Sequence, residues 1–425
     1  MIGWLLAVLM IALLVWWPTL NLVLAAFSWR TPVSATEHRE REPFSFFIVI
    51  PALNEERVIE STVRDALALD TPETPVRVLV VDDDSDDRTR AVLADIPDPR
   101  LHVIHRRPPR ARRGKGDSLN QACQHVLNRA ELDPARTVVG VIDGDGRGSP
   151  GMLGEVASVL RDDTVGAVQC GIRVHNRTGV LPLLQDLEFG AVMDSSQLLR
   201  DLLGSVGLGG NGQFVRLSVL ADLAPDIWTD CLVEDYELAL RLHLAGVRVR
   251  YTSRARVSQQ GLPDVRRLLR QRARWAQGNL QCVRHVPALV KSRSVGNPAL
   301  LDFLVALLSP WATVPVSAIF SGLIAFSVAD TAAASGDVVT AAPAIALASA
   351  TWLLLLFLPG LVWALVHRLR LGDEPLWRCL LAGLCYPFFL LFGVISTWRA
   401  LFRRLARRSS WAKTDRVPDR PAVAD

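Results

Sequence analysis

Apolar positions along this chain fall into two regimes. Residues 2 to 27 are almost uniformly apolar, a run long enough to cross a hydrocarbon layer of about 30 Å. Three further stretches of this kind lie near the other end, at about 300–329, 342–366 and 377–399. Between them the pattern changes to short, β-branched runs separated by amphipathic ones. Phe46 to Ile50, Val76 to Val81, Leu101 to Ile104 and Val138 to Ile142 read as strands buried on both faces. Helices are predicted after the first strand to about Leu69, from Asp117 to Ala130, and from Tyr236 to Leu244. Val265, Leu268, Leu269, Ala276, Leu280 and Val283 recur at helical spacing, so 264–285 reads as an amphipathic helix. Strands alternating with helices predict an α/β fold, whose mostly parallel sheet gathers ligand groups at the strand carboxyl ends.

Composition sharpens this division. Of the 425 residues 50% are hydrophobic, and the mean hydropathy of +0.24 is high for a soluble enzyme. A water-soluble middle held between membrane segments follows. Trp4, Trp16, Trp17 and Trp29 suit interfacial positions, and no basic leader or small-residue cleavage site marks a signal peptide. Arg30, His38, Arg39 and Arg41 follow the first span and place the middle on the cytoplasmic side, at a plasma membrane crossed more than once. Residues 31 to 43 read as a polar linker. The net charge of +4 is too small to suggest nucleic acid as a partner. Six cysteines without CxxC spacing argue against a zinc site or a disulfide framework. The C-terminal charges conflict with the apolar count. Three crossings from the cytoplasm would leave the tail outside, yet Arg399, Arg403, Arg404, Arg407 and Arg408 favour the inside.

Candidate chemistry gathers where the predicted strands end. The central strand runs into Asp143-Gly144-Asp145, two carboxylates at i and i+2 that point to one side of an extended chain. Such a pair can hold a hard divalent cation carrying phosphates. A plain Asp/Gly turn would carry the same residues. Glu55 follows the first strand, Asp82 and Asp83 the second, and Lys115 lies in a Gly-Lys-Gly loop able to meet a diphosphate. Asp235, at the start of a predicted helix, can take the proton of an attacking hydroxyl, although capping alone would also place an acid there. Trp275 offers a flat face for a sugar ring. The arginine-rich loop Arg106 to Arg113 reads as solvated, and Arg266, Arg267, Arg270, Arg272, Arg274 and Arg284 suit an anionic membrane face.

PALNEE, VVDDDSDD, GKGDSLNQA and DGD, in that order, resemble family 2 glycosyltransferases of the GT-A fold. Gly209 to Arg216 looks like the loop before the acceptor site, Val233-Glu234-Asp235 like the TED motif, and Gln271 to Trp275 fits Q-x-x-R-W. That last motif marks the membrane-embedded, processive branch with cellulose, chitin, hyaluronan and poly-N-acetylglucosamine synthases. Trp411 to Arg416 resembles a short tail motif of two of these groups. The sequence departs at Asp84, where many relatives have glycine, at Val233 for threonine, and at Gly144 for alanine.

The resemblance implies a GT-A (Rossmann-like) catalytic domain over 44–262 between an N-terminal transmembrane helix (1–29) and a C-terminal transmembrane region (298–400). An interface helix (263–290) and a basic cytosolic tail (401–425) complete the expected organisation. Glu55, Asp82, Asp83, Lys115 and Asp143 would hold the nucleotide sugar. Asp145, with Asp143, would hold Mg²⁺ or Mn²⁺. Asp235 would be the base, while Glu234, Gln271, Arg274 and Trp275 would border the acceptor. The implied reaction is inverting transfer from a nucleotide sugar, a UDP-sugar by resemblance, onto a growing β-linked polysaccharide. Translocation and accessory export subunits rest on that resemblance alone. Transfer of one sugar to a membrane lipid, such as a polyprenyl phosphate or diacylglycerol, is the alternative, and a non-catalytic export scaffold is a third reading.

Overall fold

The computed structural model describes residues 19–29, 43–334 and 338–406. The first part of the N-terminal apolar run, nearly all of the linker, and the tail with Trp411 to Arg416 lie outside the described residues. The strands are β1 (Ser45–Ala52), β2 (Val76–Asp82), β3 (Leu101–His105), β4 (Thr137–Val141), β5 (Arg147–Gly148), β6 (Val165–Val174), β7 (Gln213–Arg216) and β8 (Arg248–Gln259). They form one sheet in the order β3-β2-β1-β4-β7-β6-β8-β5. Pairs β1–β2, β1–β4, β2–β3 and β6–β8 are parallel, whereas β7 is antiparallel to both neighbours.

Residues 19–27 form α1. The helices of the sheet domain follow as α2 (Ile59–Leu67), α3 (Thr89–Ala94), α4 (Lys115–Leu127), α5 (Met152–Leu160) and α6 (Val180–Leu187). A π-helical turn, Glu188–Met193, leads into α7 (Asp194–Leu203), and α8 (Leu217–Ala221) and α9 (Glu234–Leu244) come next. The chain ends in α10 (Val265–Cys282), α11 (Val286–Lys291), α12 (Asn297–Ala334), α13 (Val338–Leu371) and α14 (Leu376–Leu405).

Alternation along the strands builds two cores. Phe46, Ile48, Ile50, Val78, Val80 and Phe214 face α2 and α5. Phe47, Val49, Leu79, Val81, Val139 and Val141 face α4 and α9. Gly140 is required in β4, because a Cβ there would lie 2.6 Å from Cδ1 of Phe214. The N-terminal strands and the amphipathic helix stand where the hydrophobic pattern predicts. Helix α4 begins at Lys115, two residues before the expected Asp117. All six cysteines are free thiols.

Pro310 and Pro315 would be expected to break the first C-terminal apolar stretch and Pro387 the third, but α12 continues through the first two and α14 through the last. Two stretches, Ile345–Leu371 and Leu376–Leu405, are long and apolar enough to cross a membrane by length and composition. Where α13 and α14 cross, a Cβ on Gly383 would lie 2.6 Å from the Gly360 carbonyl oxygen, so only glycine permits this approach.

A buried carboxylate fastens α13 to the sheet domain. Asp186 accepts from Arg173 at 2.9 and 2.8 Å, from Arg177 at 3.1 Å and from the Val174 N–H at 2.8 Å. Nε2 of His367, near the end of α13, lies 2.8 Å from it. Burial alone would push the Asp186 carboxyl up, but hydrogen bonds from His367 and Arg173 outweigh it and hold it well below the usual range. Asp373, in the turn after α13, takes Arg173 at 2.8 Å and Arg177 at 2.6 Å. Both ends of α14 touch the same body. Arg378 donates to the Arg177 carbonyl, and Arg403 donates to Gln277 of α10 at 3.2 Å.

Candidate active site

Strands β1, β2 and β4 end side by side, and their carboxyl ends open onto a cavity of about 520 Å³. Glu55, Asp83, Lys115, Asp143, Glu234, Asp235, Gln271, Arg274 and Trp275 all border it. Two expected residues do not. Asp82 is fully buried, and its carboxylate is taken by Arg90 at 2.6 Å and faces His105 Nδ1 at 3.1 Å. It anchors the strand end, and of the pair only Asp83 borders the cavity. Asp145 lies beneath the cavity wall, 3% exposed, accepting from the Gln260 N–H at 2.9 Å.

Lys115 is the hub. Its Nζ lies 2.6 Å from Asp143 Oδ1, 2.9 Å from the Gly210 carbonyl and 3.8 Å from Glu234. Gly210 lets these groups converge. A Cβ there would sit 2.7 Å from Lys115 Nζ, 3.2 Å from Asp235 Oδ2 and 3.9 Å from Asp143 Oδ2. Burial would lower the lysine pKa, but Asp143, Glu234 and Asp235 together raise it. Burial pushes Glu234 up to about 7 against the pull of Lys115, and it raises Asp235 in the same way. Asp235 sits in the first turn of α9 and accepts from the Tyr236 N–H at 2.8 Å. A buried carboxylate with raised proton affinity, beside a lysine, suits a general base.

Most of the basic loop is solvated as its composition suggests, with Arg107, Arg110, Arg112 and Arg113 exposed, but Arg106 is not. Arg106 is 3% exposed; it donates to Asp83 at 2.8 Å and also to Asp117. Arg112 donates through its backbone N–H to Asp83 at 2.9 Å and through its side chain to Asp86 at 2.9 Å. The acids after β2 recruit these arginines from a loop some twenty residues further along the chain. Asp84, where many relatives have glycine, has φ 65°, the left-handed region that glycine enters freely and Asp tolerates.

The far end of the cavity adds side-chain pairings that the sequence did not signal. Gln169 of β6 shapes the loop before β7, donating to the Asn211 carbonyl at 2.9 Å and accepting from the Gly209 N–H at 2.8 Å. Arg272 of α10 pairs with both oxygens of Glu188 in the π-helical turn, one of them at 2.9 Å. Its guanidinium also lies 4.9 Å from the Trp275 ring, 5.8 Å from Phe189 and 5.7 Å from Phe389 of α14. One face of Trp275 is thus covered, and the indole is fixed rather than free. Phe189, Met193, Asn279 and Ala306 of α12 complete this end.

The chemistry of the donor set suits a hard cation. Asp143 and Asp145 supply carboxylate oxygens, and no cluster of three metal-ligating side chains occurs among the described residues. A cation would need oxygens from a bound diphosphate to complete its shell.

The fold is α/β and GT-A-like, with an acid-lined cleft at the carboxyl ends of its strands, as in a glycosyltransferase. Residues 43–278, more than half of the chain, match the family described as "Glycosyltransferase like family 2", and the chain belongs to that family. It is 29% identical over 283 residues to the beta-monoglucosyldiacylglycerol synthase of Trichormus variabilis, covering 63% of this chain and 57% of that one. It is 33% identical over 239 residues to the Synechocystis sp. protein of the same description, covering 55% and 47%. The poly-beta-1,6-N-acetyl-D-glucosamine synthase of Staphylococcus epidermidis is 26% identical over 255 residues, with 59% and 57% covered. The chain thus matches little more than half the length of these relatives at most. In fold it is similar to a mannosyltransferase of Pyrobaculum calidifontis solved with GDP-Man and Mn²⁺, at TM-score 0.59 and 19% identity, covering 94% of this chain and 99% of that one.

Proposed function

We propose that this glycosyltransferase moves one hexose from a nucleotide sugar onto a lipid acceptor at a membrane surface. The observation that carries this reading is the course of the cavity. It starts among Glu55, Asp83 and Asp143 and ends against Ala306 of the apolar helix α12. The similarity to glucolipid synthases supports the same acceptor class.

In this reading Glu55, Asp83 and Asp143 hold the nucleotide, and Lys115 balances the diphosphate. Asp143 and Asp145 would hold Mg²⁺ or Mn²⁺, which would offset the charge of the departing diphosphate. The acceptor oxygen forms its bond to the anomeric carbon as the bond from that carbon to the diphosphate oxygen breaks. Its proton passes to the Asp235 carboxylate, and the single displacement inverts the anomeric centre. Gln271, Arg274, Trp275 and Glu234 frame the acceptor. Asp82 supports the loop from below.

The membrane arrangement we infer has α1, α12 and α13 crossing, while α14 lies in the interface along α10. A spanning helix of 30 residues would carry its ends about 45 Å apart across the bilayer. One end of α14 instead bonds to the sheet domain and the other to α10, which supports a reading with Arg403 and Arg404 on the cytoplasmic side. In that arrangement the apolar count and the terminal arginines agree. Extension of a polysaccharide is the second reading, favoured by Gln271, Arg274 and Trp275 and by the similarity to poly-N-acetylglucosamine synthases.

The test uses membranes containing the protein, radiolabelled UDP- and GDP-sugars, and Mg²⁺ or Mn²⁺. Label in organic-extractable lipid, abolished by EDTA and restored by added metal, is expected. Label confined to high-molecular-weight material would replace this reading with the second.

A further inference from the structure

Resting on the lipid-acceptor reading, we infer that Tyr236, Asn279 and the Arg200–Asp302 pair form an acceptor subsite for an uncharged, hydroxyl-bearing headgroup. Arg200, Tyr236 and Asn279 line the end of the cavity that meets α12. Asn279 lies four residues after Trp275 on α10, so both project from one helix face. Tyr236 directly follows the base Asp235 on α9.

Two features define the ligand. The first is hydrogen-bonding capacity left unused. The Tyr236 hydroxyl and Asn279 Oδ1 are buried oxygens with no hydrogen-bond partner among the described residues. The Asn279 amide nitrogen is committed to the Ala306 carbonyl at 3.3 Å. Tyr236 can donate, while Asn279 Oδ1 can only accept. A hydroxyl group answers both needs, whereas an ionised phosphate, which mostly accepts, leaves Asn279 unsatisfied and facing a like-signed oxygen. The second is charge compensation. Arg200 pairs with Asp302 at 3.0 Å, Arg272 with Glu188 at 2.9 Å, and Lys115 with Asp143 at 2.6 Å. Glu234 and Asp235 add two carboxyl groups at the same place, and Arg274 adds one cation. A phosphate-headed lipid would therefore meet more carboxyl groups than cations there, at a large desolvation cost. A glycerol or sugar headgroup brings no such charge.

The experiment compares monooleoylglycerol, whose second hydroxyl can meet Tyr236 and Asn279 while the first reacts, with undecaprenyl phosphate as acceptors for detergent-purified full-length protein, using the donor found to label membranes. Monooleoylglycerol is expected to be glycosylated and undecaprenyl phosphate not. Tyr236→Phe should raise the acceptor KM about five- to tenfold, the loss of one hydrogen bond. Its kcat, donor KM and thermal midpoint should stay near wild type, because the lost hydroxyl has no partner within the protein. Asn279→Ala should act in the same direction, and Asp302→Asn, by freeing Arg200, should gain activity toward undecaprenyl phosphate. Equal use of undecaprenyl phosphate by the wild-type protein, or an unchanged acceptor KM in Tyr236→Phe, would overturn the inference and leave lipid transfer standing. Label in polymer alone would overturn both.

Discussion

Gly278 gives the sharpest test of how this site is held. It lies in α10 one turn beyond Arg274 and Trp275, against the loop that leads into Glu234 and Asp235. A Cβ at position 278 would sit 2.8 Å from the Val233 nitrogen and from both Val233 methyls. Ordinary contact begins near 3.4 Å, so Gly278→Ala forces helix and loop apart by about 0.6 Å. The loop cannot simply swing away, since the Leu232 N–H donates to Gln281 of α10 at 2.9 Å. Asp235, two residues on, therefore shifts. A misplacement of about 1 Å costs on the order of 10²-fold in rate, so a loss of about tenfold in kcat is expected. Stability should move less. Alanine gains about 1 kcal/mol over glycine in a helix interior, and overpacking costs about 1–3 kcal/mol, so the net loss is about 0–2 kcal/mol. Initial rates of label transfer, read beside the thermal midpoint, separate the two effects. Wild-type kcat in Gly278→Ala would refute the claim that this contact positions the base.

Asp235→Asn should lower kcat about 10³-fold with donor binding retained, as checked by transfer rates and nucleotide titration. The rising limb of the pH–rate profile should lie above the ordinary aspartate range, since burial raises Asp235, and a limb at or below that range would contradict the assignment. Burial raises Glu234 from 4.5 to about 7, so the folded protein holds an extra proton between those values and loses stability as pH rises through them; Glu234→Gln should flatten thermal midpoints across that window. Asp186→Asn strands Arg173 and His367 and should cost about 3–5 kcal/mol, read by denaturant titration. The wild-type Asp186 contribution is present above the ordinary carboxylate range and is lost as pH falls below it.

The β-branched runs exposed β1 to β4 because strands buried on both faces cannot hide their composition, and the acids stood at their ends. Four-residue β7 gave no period to detect. The polar, arginine-rich β8 lacks a continuous apolar run, because its charged residues alternate with buried ones. Motif residues such as Lys115, Asp143, Asp235 and Trp275 could be named from the sequence because their chemistry is local. Arg106, Gln169, Glu188 and Arg272 could not, since each draws its meaning from a partner distant in the chain. The separation of Asp82 from Asp83 was legible in principle, because adjacent residues of an extended chain face opposite sides.

In the proposed mechanism, the position of Lys115 would make the two substrates thermodynamically interdependent. One cation is shared by Asp143 and by the acids of α9. A diphosphate arriving beside it would compete for the field of that lysine and weaken its hold on Asp235. The proton affinity of Asp235 would then rise, so that a base at this position would be stronger in the loaded enzyme than in the empty one. Linkage makes the effect reciprocal: a proton taken up at Asp235 returns the lysine to the diphosphate and tightens donor binding.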